Sequence, residues 1–493
     1  MKTRRIHRLR LLILRPLPVA LLALLMLTPA PAPAHGQGDA AELERRVVRA
    51  FDEGEHREAR DLLKQLIELD GASPIHRYNL ACALAQLGDL EGASDRLIEA
   101  ISIGFVDFHH MKRDSNLGPM RGHITYESIL EGWRDLLDAR MEANLESAKR
   151  VFGSGYDYEQ DEDLRLLYIS AFDRRLFQEA RRDIEMLSEW AFANLFTGLG
   201  PDRPTDRRPD PWVSVILPTP EDFVGMVRSA NVGGFYSHNQ RRLISQDIGP
   251  SLRHEFLHVL HWRDMTRLDQ RHPDWILEGL GCLVEDIDWG PDGELLPAPS
   301  WRTNIVKRLE RAGRMLPLNE LMTMPREHFV GRRPNAHYAQ ARAVMMFLHE
   351  EGKLSEWYRR YTAGHDEDDT GIRALESVFE TSLAEVERRY RAWIRAFPEA
   401  PEEIRPGMAS IGVEIGPGRG DGPEIERIPP GSDARRAGLR MRDVITAING
   451  RSTRAMEDLV RILSEFEPGE TVEISVRRGR LHHTVQVTLV PAP

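Results

Sequence analysis

The sequence predicts a multidomain α+β protein in three folded parts: an α-helical repeat region, a mixed α+β domain and a β-rich C-terminal segment. Three observations carry this. Gly54, Ala59 and Leu63 recur 34 residues later as Gly88, Ala93 and Leu97, a period at which helical hairpins repeat. Leu252, Phe256, Val259 and Leu260 mark a buried helical stripe in the middle of the chain. Beyond about residue 407, short alternating runs broken by Gly, Pro and an Asn-Gly pair replace helical spacing. A length of 493 residues suits about three domains.

The first 34 residues carry six basic and no acidic side chains (Lys2, Arg4, Arg5, Arg8, Arg10 and Arg15). An apolar run from Leu17 to Leu27 follows, then small residues at Ala30, Ala32 and Ala34. This is the layout of an export signal cleaved after Ala34. The run is too short for a comfortable membrane span, so membrane attachment is expected only if the segment stays uncleaved. The protein is expected to be exported, to the periplasm or outside the cell. The net charge is −11, and −17 once the signal's six cations are set aside. An acidic body argues against a nucleic-acid partner. Two cysteines, Cys82 and Cys282, exclude a disulfide framework.

Residues 38–148 form the helical region. Its small and apolar positions, clearest from Tyr78-Asn79-Leu80-Ala81 to Ala100, resemble two tetratricopeptide repeats, with Ile124–Leu137 as a capping helix. The resemblance implies a surface for peptides or proteins. Arg203–Pro211 reads as an exposed loop, and Ala396–Pro406 as a domain boundary.

Within 149–398 lies His254-Glu255-Phe256-Leu257-His258, followed twenty residues after the second histidine by Glu278 in Trp275-Ile276-Leu277-Glu278-Gly279. On a helix, positions i and i+4 share a face, so both imidazoles can reach one metal ion. Ser251 is the expected N-cap of that helix, and Pro273 opens the next one, which brings Glu278 as third ligand. Two His and one Glu around one Zn²⁺ per chain, with the fourth position left to water, make a hydrolytic site in which Glu255 is the general base. His261 and Cys282 are alternative third ligands by position, and Glu285 can orient a ligating histidine.

This pattern resembles the gluzincin metallopeptidases of the bacterial Peptidase MA-like group. Trp212–Leu217 with Glu221-Asp222-Phe223, Gly233-Gly234-Phe235-Tyr236, and His337-Tyr338-Ala339-Gln340-Ala341 resemble further segments of that group. The resemblance implies a zincin-like α+β metallopeptidase domain and an endopeptidase. It makes Tyr338 the candidate donor to the oxyanion, with a core tyrosine as the alternative and His337 as a second candidate. Arg242–Ser245, as sheet edge, would pair with an extended substrate.

Residues 407–493, with Pro430-Gly431-Ser432 through Asn449-Gly450, resemble a bacterial PDZ domain. The resemblance implies that Ser410, Ile411, Gly412 and Val413 offer backbone N–H groups to a peptide end, although Ala-Ser-Ile-Gly stands where a Gly-Leu-Gly-Phe-like loop is usual. Peptide or protein substrates, and a protein partner on the PDZ domain and repeats, are the expected ligands. A different class remains open: a catalytically silent adaptor whose repeats and PDZ domain bind peptides together. A hydrolase of non-peptide amides is a third reading.

Overall fold

The structure, a computed structural model, describes residues 37–200, 208–227 and 232–493. The expected export signal lies outside them, as do residues 203–207 of the expected loop. No helix among the described residues is long and apolar enough to cross a membrane. The chain is a multidomain α+β protein, largely helical up to a β-rich C-terminal segment. It divides into two compact units. One takes the chain to Tyr168 with Pro204–Ser214 and Val224–Ala230; the other takes Ile169–Arg203, Val215–Phe223 and Asn231–Pro493.

The first unit opens with helices α1 (Gln37–Asp52), α2 (His56–Leu69), α3 (Pro74–Gln86) and α4 (Leu90–Ile103), each packed on the next. The 34-residue offset is realised in matching detail. Gly54 and Gly88 both hold positive φ (+73° and +82°) at the turns, where a side chain would be strained. Ala59 and Ala93, like Leu63 and Leu97, are fully buried, because small residues let paired helices approach. Ser73 and Asp89 cap α3 and α4. Next come α5 (Phe108–Arg113), α6 (Ile124–Glu131) and α7 (Trp133–Phe152). The capping helix expected over 124–137 is thus two helices, broken at Gly132. The loop expected to be exposed is buried at Asp210 and Pro211. Arg165 donates to the Asp210 carbonyl (2.6 Å) and Trp133 to that of Pro209 (3.1 Å), so these backbone groups are satisfied inside the fold. Strand β1 (Asp157–Asp161) neighbours β2 (Leu166–Ser170).

The second unit holds α8 (Arg174–Asn194), β3 (Val213–Leu217, its second half), α9 (Pro220–Met226, its first half), β4 (Gly234–Ser237) and β5 (Arg242–Ser245). Strand β5 lies between β3 and β4 and pairs antiparallel with β4, Phe235 opposite Ile244. Among the described residues β4 is therefore an edge strand. Arg242–Ser245, expected at the edge, is interior, because the hairpin returns β5 into the sheet. Then follow α10 (Pro250–Leu268), α11 (Asp274–Leu283), the hairpin β6 (Ile287–Trp289) and β7 (Leu295–Pro297), and α12 (Trp301–Arg311). The helices α13 (Leu318–Met322), α14 (Arg326–Gly331), α15 (Pro334–Glu350), α16 (Leu354–Ala363), α17 (Ile372–Phe379) and α18 (Leu383–Ala396) complete this helical part. Helix α15 is its buried spine, solvent-shielded from Ala339 to Leu348.

The C-terminal segment carries β8 (Ala409–Ser410), β9 (Glu414–Gly416), β10 (Glu424–Arg427), α19 (Asp433–Arg436), β11 (Val444–Ile448), β12 (Arg451–Ser452), α20 (Met456–Leu463), β13 (Thr471–Arg478), β14 (Leu481–Thr488) and β15 (Val490–Pro491). Its sheet runs β14–β13–β11–β10–β9, so β9 is an edge. Leu459, Ile462 and Leu463 of α20 join Ile425, Ile445, Ile474 and Val487 in one core. The link 396–406 is strapped down, since Asn304 exchanges hydrogen bonds with the Ala400 backbone (2.8 and 3.0 Å). The segment also rests on the helical part. Ile248 N–H donates to the Gly420 carbonyl (3.0 Å), buried Arg454 pairs with Glu179 (2.7 Å), and Asp288 takes both Arg451 and Arg461.

Candidate metal centre

Helix α10 begins at Pro250, with Gly249 at the N-cap position. Ser251 is inside the helix, so the expected serine cap is corrected. Asp247 does that work: its Oδ1 accepts from Gly249 N–H (2.9 Å) and Ser251 N–H (3.1 Å), satisfying donors that a helix start leaves open. Leu252, Phe256, Val259 and Leu260 are buried and turn the opposite, histidine-bearing face toward α11. Helix α11 can lie close because it has glycines where it needs them. A Cβ on Gly281 would stand 2.9 Å from the His254 ring, and one on Gly279 would stand 3.0 Å from the Ala341 carbonyl of α15. Trp275, buried with its indole N–H on the Thr370 carbonyl (3.0 Å), anchors the helix in the core.

The side chains of His254, His258 and Glu278 converge. The two Nε2 atoms lie 3.0 Å apart, and Glu278 Oε2 is 3.3 Å from the first and 3.6 Å from the second. Zinc bonds of about 2.0–2.1 Å in a tetrahedral shell place neighbouring ligand atoms roughly 3.3–3.4 Å apart, so this donor set fits zinc in kind and in spacing. The surroundings favour positive charge. Burial opposes the His254 imidazolium, yet hydrogen bonds with Cys282, Glu278 and Glu285 hold its pKa well above the ordinary range. Glu278, despite burial that pushes it up, is held well below the carboxylate range by hydrogen bonds from the two histidines. Behind the site, Glu285 Oε1 takes His254 Nδ1 at 2.9 Å, which fixes the tautomer that leaves Nε2 free for a ligand. Arg302 clamps the same carboxylate at 2.6 and 2.9 Å.

Glu255 is buried beside this cluster. Burial raises its pKa, against the pull of His254 and His258, and the Tyr236 backbone N–H hydrogen-bonds its carboxylate. Tyr236 belongs to the edge strand β4, and a Cβ on Gly234 of that strand would stand 3.1 Å from Glu255 Cγ. The expected base therefore sits directly below an open strand edge. Tyr338, half-buried at the start of α15, is hydrogen-bonded to Glu278; burial and then that carboxylate push its phenol up. His337 turns away and holds the Phe329 carbonyl (2.8 Å). His261 is not in the cluster: fully buried, it hydrogen-bonds His272 at 2.8 Å. Cys282 is buried on the His254–Glu285 side, and burial pushes its thiol up to about 11. Both cysteines are free. Sequence reasoning missed Arg302 and Asp247. The Asp-x-Gly-Pro start of α10 was a usable signal for Asp247; nothing in spacing marks Arg302.

In the C-terminal segment the four expected peptide-binding residues lie along one stretch in unequal settings. Ser410 pairs with Val490 in β8, Ile411 is in the core and Val413 packs at its margin. Gly412 (φ +75°) donates its N–H to Ser410 Oγ at 3.0 Å.

The buried His261–His272 pair sets an acid limit on stability. Burial first, and then neighbouring cations, lowers the His272 pKa from 6.5 to about 3. The folded state therefore binds fewer protons than the unfolded chain. The stabilisation is complete above pH 6.5 and is lost as pH falls toward 3, costing about 2 kcal/mol at pH 5. Urea unfolding at pH 7.5 and pH 5 should show a larger acid loss in wild type than in His272→Gln. Equal losses in the two proteins would refute this.

A PDZ domain model matches residues 424–478. A probable periplasmic serine endoprotease DegP-like of Rhizobium meliloti is 29% identical over 91 residues, 18% of this chain and 18% of its own. Its counterpart in Marinomonas is 35% identical over 103 residues, 21% of each chain. The chain thus spans about a fifth of the length of these relatives. Among solved structures, an HtrA-type protease AlgW with decapeptide is 18% identical over 22% of this chain and 35% of its own, with a TM-score of 0.16. An aminopeptidase N family protein from Idiomarina loihiensis is 15% identical over 68% of this chain and 67% of its own, with a TM-score of 0.31.

Proposed function

We propose that the protein is an exported zinc-dependent endopeptidase with a gluzincin-type site, in which tetratricopeptide-like repeats and the PDZ domain recruit peptide substrates or partners. The observation that carries this is the convergence of His254, His258 and Glu278 to 3.0–3.6 Å with buried Glu255 beside them. The domain scheme is 38–148 repeats, 149–398 peptidase and 407–493 PDZ. The periplasmic relatives and the sequence of residues 1–34 support export. The serine chemistry of those relatives is not carried over, because only about a fifth of their length is matched.

In this reading His254, His258 and Glu278 hold the ion, and Glu285 keeps the His254 ring turned toward it. A zinc ion there supplies Lewis acidity that brings the pKa of water toward ~7. Glu255 accepts the proton of the attacking water and passes it to the departing amide nitrogen. An extended substrate pairs with the open side of β4, which puts its scissile carbonyl over Glu255. Tyr338, released from Glu278, donates its hydroxyl hydrogen to the oxyanion. Internal cleavage follows from pairing with a strand edge that requires no chain end.

Elemental analysis of the mature chain tests this. About one zinc per chain is expected, with affinity sharply reduced in Glu278→Ala, since a three-ligand site loses a ligand. Wild-type protein that takes up no zinc at neutral pH would overturn the reading. The adaptor alternative would then lead, supported by the open edge of β9 in the PDZ domain.

A further inference from the structure

We propose that Arg302 is a positioning residue of this site, setting the orientation of the His254 imidazole through the Glu285 carboxylate. The inference rests on the metal-centre reading above and goes beyond it.

Three arginines surround the end of α11, and their hydrogen bonds separate their roles. Arg253 donates to the carbonyls of Val284 (2.9 Å) and Glu285 (2.5 Å). Arg342 donates to the carbonyls of Cys282, Asp286 and Ala298 at 2.8–3.3 Å. Both are backbone staples. Among the described residues Arg302 bonds no carbonyl. Its Nε donates to Glu285 Oε2 at 2.6 Å and its Nη2 to Oε1 at 2.9 Å, while Nη1 is buried without a partner among the described residues. Every hydrogen bond of its guanidinium thus goes to the one carboxylate that meets His254 Nδ1.

The geometry suits orientation. A bidentate fork fixes both oxygens of a carboxylate, so rotation about its terminal bond is blocked. Glu285 Oε1, shared by Arg302 Nη2 and His254 Nδ1, then has one direction in which to accept the imidazole N–H. The fork is itself held. Ser300 and Thr303 form a capping box that starts α12 and places Arg302 in its first turn. The guanidinium lies 4.4 Å from the Trp301 ring centroid and 5.9 Å from that of Tyr338, within cation–π range of both. Arg302 therefore touches the support of a candidate ligand and the face of the candidate oxyanion donor.

The test is metal affinity by chelator competition, with the visible spectrum of the cobalt(II) form, on full-length Arg302→Met, Arg302→Lys, Glu285→Gln and the Met/Gln double variant. Arg302→Met should weaken zinc binding by about 10- to 100-fold, as loss of a supporting partner does, and shift the cobalt bands. Arg302→Lys, with charge but no fork, should fall between Met and wild type. The double variant should bind no more weakly than Glu285→Gln alone, because Arg302 acts through Glu285. Additive losses, or a cobalt spectrum and affinity within about twofold of wild type in Arg302→Met, would overturn the proposal. If that variant does not fold, wild-type affinity in Arg302→Lys overturns it equally. Wild-type protein that takes up neither metal overturns the metal-centre reading and this one together, whereas a neutral Arg302 in a zinc-binding protein overturns this one alone.

Discussion

Glu255→Gln is expected to lower peptide hydrolysis by about 10²- to 10⁴-fold, the usual contribution of a positioned general base, while zinc uptake stays at the wild-type level. The two halves follow from separate features. The amide is isosteric with the carboxylate and its carbonyl can still accept the Tyr236 N–H bond, so the local packing under β4 is retained. It cannot take a proton from water. The converging atoms belong to His254, His258 and Glu278, so the ion keeps its donors. The measurement pairs kcat/KM on a mixed peptide substrate with elemental analysis of the same sample. The expected signature is a fall in kcat at nearly constant KM, because the lost interaction is made in the transition state. Hydrolysis at the wild-type rate in a zinc-loaded variant would remove Glu255 from the mechanism. Loss of zinc together with activity would make it a structural residue.

Much of the candidate centre was legible because it is local. The i, i+4 spacing of His254 and His258 needs only a helix to bring the rings 4.7 Å apart. Glu278 was placed by a second helix whose start Pro273 marks. Its approach depends on Gly279 and Gly281, both visible in the sequence but meaningful only once α15 and the His254 ring are in place. The 34-residue offset was legible for the same reason, since each of these helices packs on the next. What failed was long-range. Which strand of the β4–β5 hairpin forms the edge is decided by β3, a separate element that ends at Leu217, and either strand reads as half-apolar. His261 shares a helix face with His258 by count, but a buried partner at His272 captures it. Arg302 and Asp247 act by tertiary contact and by a turn two residues ahead of the helix. Ser251, the obvious capping residue, was displaced by Pro250, which takes the first helical position.

Arg342→Met should cost about 3–5 kcal/mol of folding stability, a large part of the ~5–15 kcal/mol that a folded domain commands. Arg342 is fully buried on α15. Its guanidinium serves the Cys282 carbonyl at the open end of α11, the Asp286 carbonyl in the following loop and the Ala298 carbonyl after β7. A helix end leaves carbonyls short of internal partners, and this buried side chain adds donors to those that the Glu285 and Ala298 backbone N–H groups supply. Asp286 Oδ2 stands 3.9 Å away. Its carboxyl is raised by burial, and Arg342 is the chief influence drawing it back down. Methionine fills much of the volume and offers no donor, so an uncompensated acid and the Ala298 carbonyl are left buried, while the Cys282 and Asp286 carbonyls keep only the backbone N–H groups of Glu285 and Ala298. The stretch concerned runs from Glu278 in α11 through Glu285 to Asp288 in β6, and so spans a candidate ligand, the support of His254 and the residue that receives PDZ arginines Arg451 and Arg461. Urea unfolding should therefore show a midpoint well below wild type, partly restored by Asp286→Asn in the same chain, since that removes the acid but not the carbonyls. A midpoint shift equivalent to less than about 1 kcal/mol would show that water or a shifted loop satisfies these groups, and the staple would then carry no weight in holding α11.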